Sequence, residues 1–157
     1  MQHTITIVIS RTNTMIGAII RKVHKGPYNH CSFYLDDKSD EMWSFSRKYD
    51  RFFFTGCFCS ETAKRYEEYC TFTFNLTNEQ YQSIVDEIRF LSSRYNMYSY
   101  WNSILINFNK SINSNKHYIC STYVASVIER LGLVNLNKAY DKCLLMDVYN
   151  SLKLGAL

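Results

Sequence analysis

The most constraining feature of this 157-residue chain is a helical pattern that begins with a cysteine. Between positions 120 and 131, apolar residues recur at the spacing that places side chains on one helix face. Gly132 then provides a helix stop, and the polar run at 113–116 predicts an irregular start. The pattern therefore predicts an amphipathic helix with this buried stripe: Cys120, Val124, Val127, Ile128 and Leu131.

The position of Cys120 in the first helical turn permits two interpretations. Unpaired backbone N–H groups and the helix dipole at that end stabilise a thiolate, and they can donate hydrogen bonds to an oxyanion. Free cysteine is also among the most buried residue types and commonly packs as a small hydrophobe. The helix alone leaves both a core residue and a nucleophile open.

The composition predicts one packed domain covering 1–157. Hydrophobic residues make up 46% of the chain and aromatic residues 16%, which is enough for one core, and the length is short for two domains. The formal net charge is +4, but lysine and arginine are scattered and no Gly-rich phosphate loop is present. We therefore expect no nucleic-acid partner.

The N-terminal segment does not resemble a targeting signal. Its apolar core is short, no basic run precedes it, and no window of about eighteen apolar residues could span a bilayer. We expect a cytoplasmic protein without a transmembrane segment, which leaves peripheral membrane contact open. In a reducing compartment, the six cysteines favour free thiols, metal ligation or catalysis over disulfides.

The order of the sequence patterns predicts an α+β fold. Alternating apolar residues indicate strands near 5–9 and 70–76, and two runs at 30–37 and 41–48 suggest an antiparallel hairpin. Helices are predicted after a cap at Thr12 or Asn13, after a capping box formed by Thr77 and Gln80, and near the C-terminus.

A nucleophilic Cys120 needs a base, and the chain has four histidines. His3 lies near the terminus, His24 in the last turn of a predicted helix, and His117 only three residues before Cys120. His30 instead opens a predicted strand directly after a turn signal, where a rigid sheet edge can hold it against a helix N-terminus. The alternative for His30 is a solvent-facing or capping residue.

Four segments together resemble a known family. They read "PYNHCSFYLDD", "EMWSFSRK", "TGCFCSE" and "YICSTYVASVIERLG". In this combination, and with the histidine before the cysteine, the chain resembles the circularly permuted branch of the NlpC-like papain-fold superfamily, which includes lecithin:retinol acyltransferase-like enzymes and small bacterial proteins. The resemblance implies a permuted papain-like fold: an antiparallel sheet packed against helices, with the nucleophile at a helix N-terminus.

The resemblance also implies roles for individual residues. Cys120 would be the nucleophile and His30 the general base, and a third polar residue would orient the imidazole. Ser44 lies on the strand where related enzymes carry that residue, with Ser46 two positions on. Glu61 competes with Ser44 because a carboxylate would also stabilise the imidazolium, although a solvated or capping acid explains it equally well.

Two other interpretations use the same segments. A structural zinc site would take Cys57, Cys59, His117 and Cys120, but the first pair shares one face of a predicted strand and lacks the usual knuckle spacing. A non-catalytic binding module would use an aromatic cluster that suits stacking against a ligand and suits a core equally well. That cluster comprises Tyr95, Tyr98, Tyr100 and Trp101.

The preferred hypothesis is a thiol hydrolase or acyltransferase that works through an acyl-enzyme. It would act on an amide, ester or thioester bond of a peptide, isopeptide or acyl-bearing substrate, and it would need no cofactor and no metal. The alternative is a catalytically silent papain-like module that binds a peptide or a partner protein.

Overall fold

The computed structural model describes residues 2–46, 57–62, 66–93, 97–98 and 117–155. Within these ranges the chain forms strands and helices in an α+β arrangement. The strands are β1 (His3–Thr12), β2 (His30–Leu35), β3 (Met42–Ser46), β4 (Cys57–Glu61), β5 (Tyr66–Leu76), β6 (Met97–Tyr98) and β7 (His117–Tyr118). The helices are α1 (Met15–His24), α2 (Asn78–Ser92), α3 (Cys120–Leu131) and α4 (Leu145–Gly155), with a 3-10 turn at Tyr140–Lys142.

Five strands form an antiparallel sheet in the order β4-β3-β2-β1-β5. Strand β1 pairs with β2 on one side and with β5 on the other, so that Ile9 lies opposite both Cys31 and Cys70. Strands β2 and β3 form the predicted antiparallel hairpin, in which Phe33 pairs with Trp43. The sheet confirms the α+β class, and β4 and β5 are its two edges.

Helix α3 packs against β2 and β3 and forms the centre of the core. All five residues of the predicted stripe are buried, which confirms the inward face of this helix. Tyr123, outside the predicted stripe, is fully buried as well, and its ring packs edge-on against Phe45 and Phe58. The helix is thus enclosed on more sides than its amphipathic pattern predicts, because α4 and the 3-10 turn also pack against it.

The helix ends follow local side-chain chemistry. The predicted capping box of α2 is present: the Thr77 hydroxyl accepts from the Gln80 backbone N–H, and the Gln80 amide oxygen accepts from the Thr77 backbone N–H. The predicted stop of α3 is also present, because Gly132 adopts a left-handed conformation with φ of 63°.

The prediction for the start of α1 was wrong by one or two residues. Thr14, not Thr12 or Asn13, is the N-cap, and its hydroxyl accepts from the Gly17 backbone N–H at 2.9 Å. Thr12 cannot serve because it still belongs to β1, where it pairs with Tyr66.

No helix in the described part of the chain is both long and apolar enough to cross a membrane. The single-domain organisation, the cytoplasmic location and the finer assignment to a papain-like fold stay predictions.

Candidate functional site

The site centres on a buried contact between the first residue of β2 and the last residue of β4. Nε2 of His30 lies 2.6 Å from Oε1 of Glu61, and the two side chains are only 11% and 8% exposed. Strand β3 lies between β2 and β4 and is antiparallel to both, so the contact joins the beginning of β2 to the end of β4 across β3. Such a short contact between buried ionisable groups indicates a charge-assisted hydrogen bond.

Each partner of this pair stabilises the charged form of the other. Burial disfavours a charged imidazole, but the charge of Glu61 and its hydrogen bond raise the pKa of His30 well above its usual value. Burial likewise disfavours a charged carboxylate, but the charge of His30 and its hydrogen bond lower the pKa of Glu61. An imidazolium facing a carboxylate is therefore the favoured state near neutral pH.

Cys120 opens α3 and is 8% exposed. The N-cap residue is Ile119, whose apolar side chain cannot accept from the first-turn N–H groups. The Thr122 hydroxyl accepts from the backbone N–H of Ile119 and donates to the carbonyl oxygen of Ile119. The sulfur thus lies in the first turn, where the N–H groups and the helix dipole favour negative charge.

The thiol of Cys120 is strongly acidified by its neighbours. A side-chain hydrogen bond with Cys31 lowers the pKa of Cys120 well below its usual value, burial opposes this shift, and the hydrogen bond and charge of His30 reinforce it. The backbone N–H of Cys31 contributes a further hydrogen bond. Cys120 therefore interacts with two consecutive residues at the beginning of β2.

The ring of His30 has one nitrogen for each partner. Nε2 contacts Glu61, so Nδ1 is the ring nitrogen that remains available, and Cys120 is among the groups that raise the pKa of His30. An imidazolium between a thiolate and a carboxylate would satisfy both of its N–H groups. This is the arrangement that a cysteine nucleophile requires from its base and from the residue that orients the base.

Cys31 is a site residue that sequence reasoning missed. It is fully buried, and burial raises the pKa of its thiol well above the usual value, so that it stays neutral and can donate. In the sequence it directly follows His30, and alternation along β2 turns it toward the core face. That pattern is typical of a packing residue, and it contains no sign of a thiol donor.

Tyr66 and Ser32 were also missed. The Tyr66 hydroxyl donates to Glu61 Oε1 at 2.9 Å, and Ser32 Oγ lies 3.0 Å from the Tyr66 oxygen. Ser32 has a local signal because it lies two residues after His30 on the same face of β2. Tyr66 lies only five residues after Glu61, but their strands are at opposite edges of the sheet, and that sheet order has no local signal in the sequence.

Ser44, the other candidate for orienting His30, uses its hydroxyl elsewhere. Ser44 Oγ donates to the Cys31 carbonyl oxygen at 2.7 Å, a bond that joins β3 to the beginning of β2. Ser46 Oγ lies 3.0 Å from Cys59 Sγ. The described hydrogen bond of Ser44 goes to a backbone carbonyl rather than to the imidazole, so Glu61 is the candidate that contacts the ring.

The remaining histidines add no second site among the described side chains. His3 stacks on Tyr81 with ring centroids 3.7 Å apart, and its Nδ1 lies 3.4 Å from Asp36 Oδ2. The side chains of His24 and His117 lie outside the described residues.

The zinc and aromatic-cleft alternatives fall largely outside the described residues. No group of three potential metal ligands occurs among the residues that the structure describes, and the side chains of Cys57 and His117 are not among them. For the aromatic cluster, only the backbone of Tyr98 is described, in β6, whereas Tyr95, Tyr100 and Trp101 lie outside.

Comparison with known proteins gives no information on the function of this site. The chain matches no model of a protein family. It also shows no significant match to a curated protein or to a solved structure. The resemblance to permuted papain-like enzymes stays a prediction.

Proposed function

We propose that this protein is a thiol hydrolase or acyltransferase with Cys120 as nucleophile and His30 as general base. The observation that carries the proposal is the buried His30–Glu61 pair beside a cysteine whose pKa is lowered at a helix N-terminus. Burying two ionised groups costs free energy, and such groups concentrate at functional sites. A core cysteine needs neither a charged partner nor a helix terminus.

The proposed reaction begins with the thiolate–imidazolium pair. The thiolate of Cys120 attacks the carbonyl carbon, and first-turn N–H groups of α3 donate to the oxyanion. The His30 imidazolium then gives its proton to the leaving nitrogen, oxygen or sulfur, which leaves an acyl-enzyme on Cys120. Water or a second nucleophile then gives a proton to His30 and attacks the acyl group. The acyl product leaves, and the thiolate–imidazolium pair of Cys120 and His30 is restored.

This chemistry defines a class of substrate rather than one molecule. An amide, ester or thioester carbonyl fits the same sequence of steps, so peptides, isopeptides and acyl-bearing molecules are all included. Every step uses side chains of the chain itself, and the proposal involves no cofactor.

The proposal can be tested with p-nitrophenyl acetate, a small activated ester that reports acylation directly. Wild-type protein should release nitrophenolate and carry one acetyl group on Cys120, located by peptide mass spectrometry. Replacing His30 with alanine should slow acetylation by about 10²- to 10⁴-fold, the usual contribution of a positioned base. Cys120→Ser should abolish rapid acetylation and retain the fold, because it changes little volume.

A second free thiol provides the matched control. Cys70 is partly buried in β5, and burial raises its pKa, so Cys70→Ala should leave the acetylation rate unchanged. Acetylation that occurs first at Cys70 or Cys59, or that ignores the loss of His30, would refute the enzyme and favour a binding module.

A further inference from the structure

We propose that Tyr66 is a positioning residue that, together with Ser32, holds the carboxylate of Glu61 against His30. The inference rests on the proposed function, because it concerns how the base of that same site is oriented. It adds two residues to the site, Tyr66 five residues after Glu61 and Ser32 two residues after His30.

The contacts converge on a single carboxylate oxygen. Glu61 Oε1 lies 2.6 Å from His30 Nε2 and accepts from the Tyr66 hydroxyl at 2.9 Å. Two donors on one oxygen determine which oxygen faces the ring and in which plane the carboxylate lies. Without Tyr66, Oε1 of Glu61 would lose the hydroxyl that shares it with His30, and among the described side chains only Ser32 would remain to assist His30.

The direction of each hydrogen bond follows from the number of available protons. The Tyr66 hydroxyl has one proton and points it at a carboxylate, which can only accept. Ser32 Oγ, 3.0 Å from the Tyr66 oxygen, must then donate to it. The same serine oxygen lies 3.8 Å from Met42 Sδ, but a thioether is a weak acceptor and does not compete. The chain of donors runs from Ser32 to Tyr66 to Glu61.

Electrostatics support the same direction. Burial and the charge of Glu61 raise the pKa of Tyr66, so that its hydroxyl stays protonated and remains a donor. The Tyr66 hydrogen bond in turn helps to lower the pKa of Glu61, whose burial would otherwise raise it. Tyr66 therefore keeps a desolvated carboxylate ionised where His30 needs a negative partner.

The position of Tyr66 in the sheet makes this contact specific. Glu61 closes β4 and Tyr66 opens β5, which are the two opposite edges of the sheet, and β2 with His30 and Ser32 lies between them. The ring of Tyr66 also lies near that of His30, with centroids 6.3 Å apart. Tyr66 thus lies beside the histidine, and its hydroxyl reaches the carboxylate partner.

The test measures alkylation of Cys120 by iodoacetamide as a function of pH, which needs no knowledge of the substrate. The titratable groups that interact with Glu61 and its partners are His30 and Cys31 on β2, Cys120 on α3 and Tyr66 on β5. In Tyr66→Phe, Glu61 should take up a proton at higher pH. The acid limb of the profile should move up by about one pH unit, a tenfold change in proton affinity.

A double-mutant cycle separates positioning from mere packing. Glutamine at position 61 keeps the shape of the side chain but cannot ionise, so Tyr66→Phe should cause no further shift in the Glu61→Gln background. A packing defect would persist in both backgrounds. The matched control is Tyr69→Phe, three residues along the same strand and 58% exposed, which should leave the profile unchanged.

The outcomes distinguish this inference from the function on which it rests. If wild-type Cys120 is slow to alkylate at acidic pH or indifferent to His30→Ala, the proposed function fails. If that dependence holds but Tyr66→Phe matches wild type, or shifts the profile equally in both backgrounds, only the role of Tyr66 is overturned. Should Tyr66→Phe fail to fold, Ser32→Ala replaces it: a smaller shift in the same direction supports the inference, and no shift overturns it.

Discussion

At the scale of single residues, two neighbouring cysteines have opposite proton preferences. Burial, the hydrogen bond with Cys120 and the charges of Cys120 and Glu61 raise the pKa of Cys31, whereas Cys31 and His30 lower the pKa of Cys120. A thiol that remains neutral can stabilise a thiolate next to it, because the S–H group donates into the negative charge. Cys31 thus contributes to the acidity of Cys120 without being charged itself.

Replacing Cys31 with alanine removes this donor. The pKa of Cys120 should rise, and alkylation of Cys120 below neutral pH should slow by about tenfold, the value of one hydrogen bond to a charged group. Cys31→Ser retains a donor of similar size and should keep most of the reactivity. Equal alkylation rates in Cys31→Ala and wild type, with both proteins folded, would show that Cys31 only fills space.

At the scale of secondary structure, the two ends of α3 have different tasks. Its N-terminus leaves a first turn without a capping side chain in the described residues and places Cys120 there, as a nucleophile site requires. Its C-terminus is closed by Gly132 in a left-handed conformation, with the cap N–H bonded to carbonyls of the last turn. Stability at one end and reactivity at the other should therefore respond to different substitutions.

Alanine at Gly132 tests this separation. No atom lies within 4 Å of the added methyl group, so the cost comes from the left-handed backbone alone, about 1 kcal/mol of unfolding free energy. Gly132→Asn should lose less, since asparagine tolerates that conformation. Urea unfolding measures both, and Cys120 alkylation should stay at the wild-type rate. A loss of reactivity with Gly132→Ala would contradict the independence of the two ends.

At the scale of the whole molecule, the site joins parts of the fold that are far apart in sequence. Residues from β2, β4, β5 and α3 meet around one imidazole, and their ionisable groups have shifted pKa values in the folded state only. Folding and proton binding are therefore linked, and the free energy of unfolding must depend on pH.

The sign of that dependence differs between pH ranges. The lowered pKa of Glu61 stabilises the fold above the unfolded value of about 4.3, and this contribution is lost as pH falls. The raised pKa of His30 stabilises the fold fully below about 6.5 and less as pH rises, while the lowered pKa of Cys120 stabilises it increasingly toward about 8.5. Between these two values the last two effects oppose each other.

We therefore expect unfolding free energies that rise from acidic pH and level off between about 6.5 and 8.5. Cys120→Ala should remove the stabilisation that the Cys120 thiolate adds as pH rises. Only the contribution of His30 then remains, so the free energy of unfolding should decline with pH across the same range. Urea denaturation at a series of pH values measures both curves. Parallel curves for the two proteins would show that Cys120 is not ionised by His30.

The sequence by itself determined the features that depend on neighbours along the chain. The buried stripe of α3, the Thr77 capping box, the left-handed stop at Gly132 and the β2–β3 hairpin all follow from periodicity or local hydrogen bonding, which act over a few residues. The same local logic singled out Cys120 and His30 as a pair. It erred at the start of α1, where β1 continues to Thr12 and moves the cap to Thr14.

Only the tertiary structure decided how the site around that pair is completed. Ser44 and Glu61 were equal candidates in the sequence, but strand pairing directs the serine hydroxyl to a backbone carbonyl and the carboxylate to the imidazole. Tyr66 joins them from the opposite edge of the sheet, and Cys31 from the core face of β2. No local pattern encodes such contacts, because they depend on which strands the sheet places side by side. They also depend on which polar side chains become buried there and must find a hydrogen-bond partner.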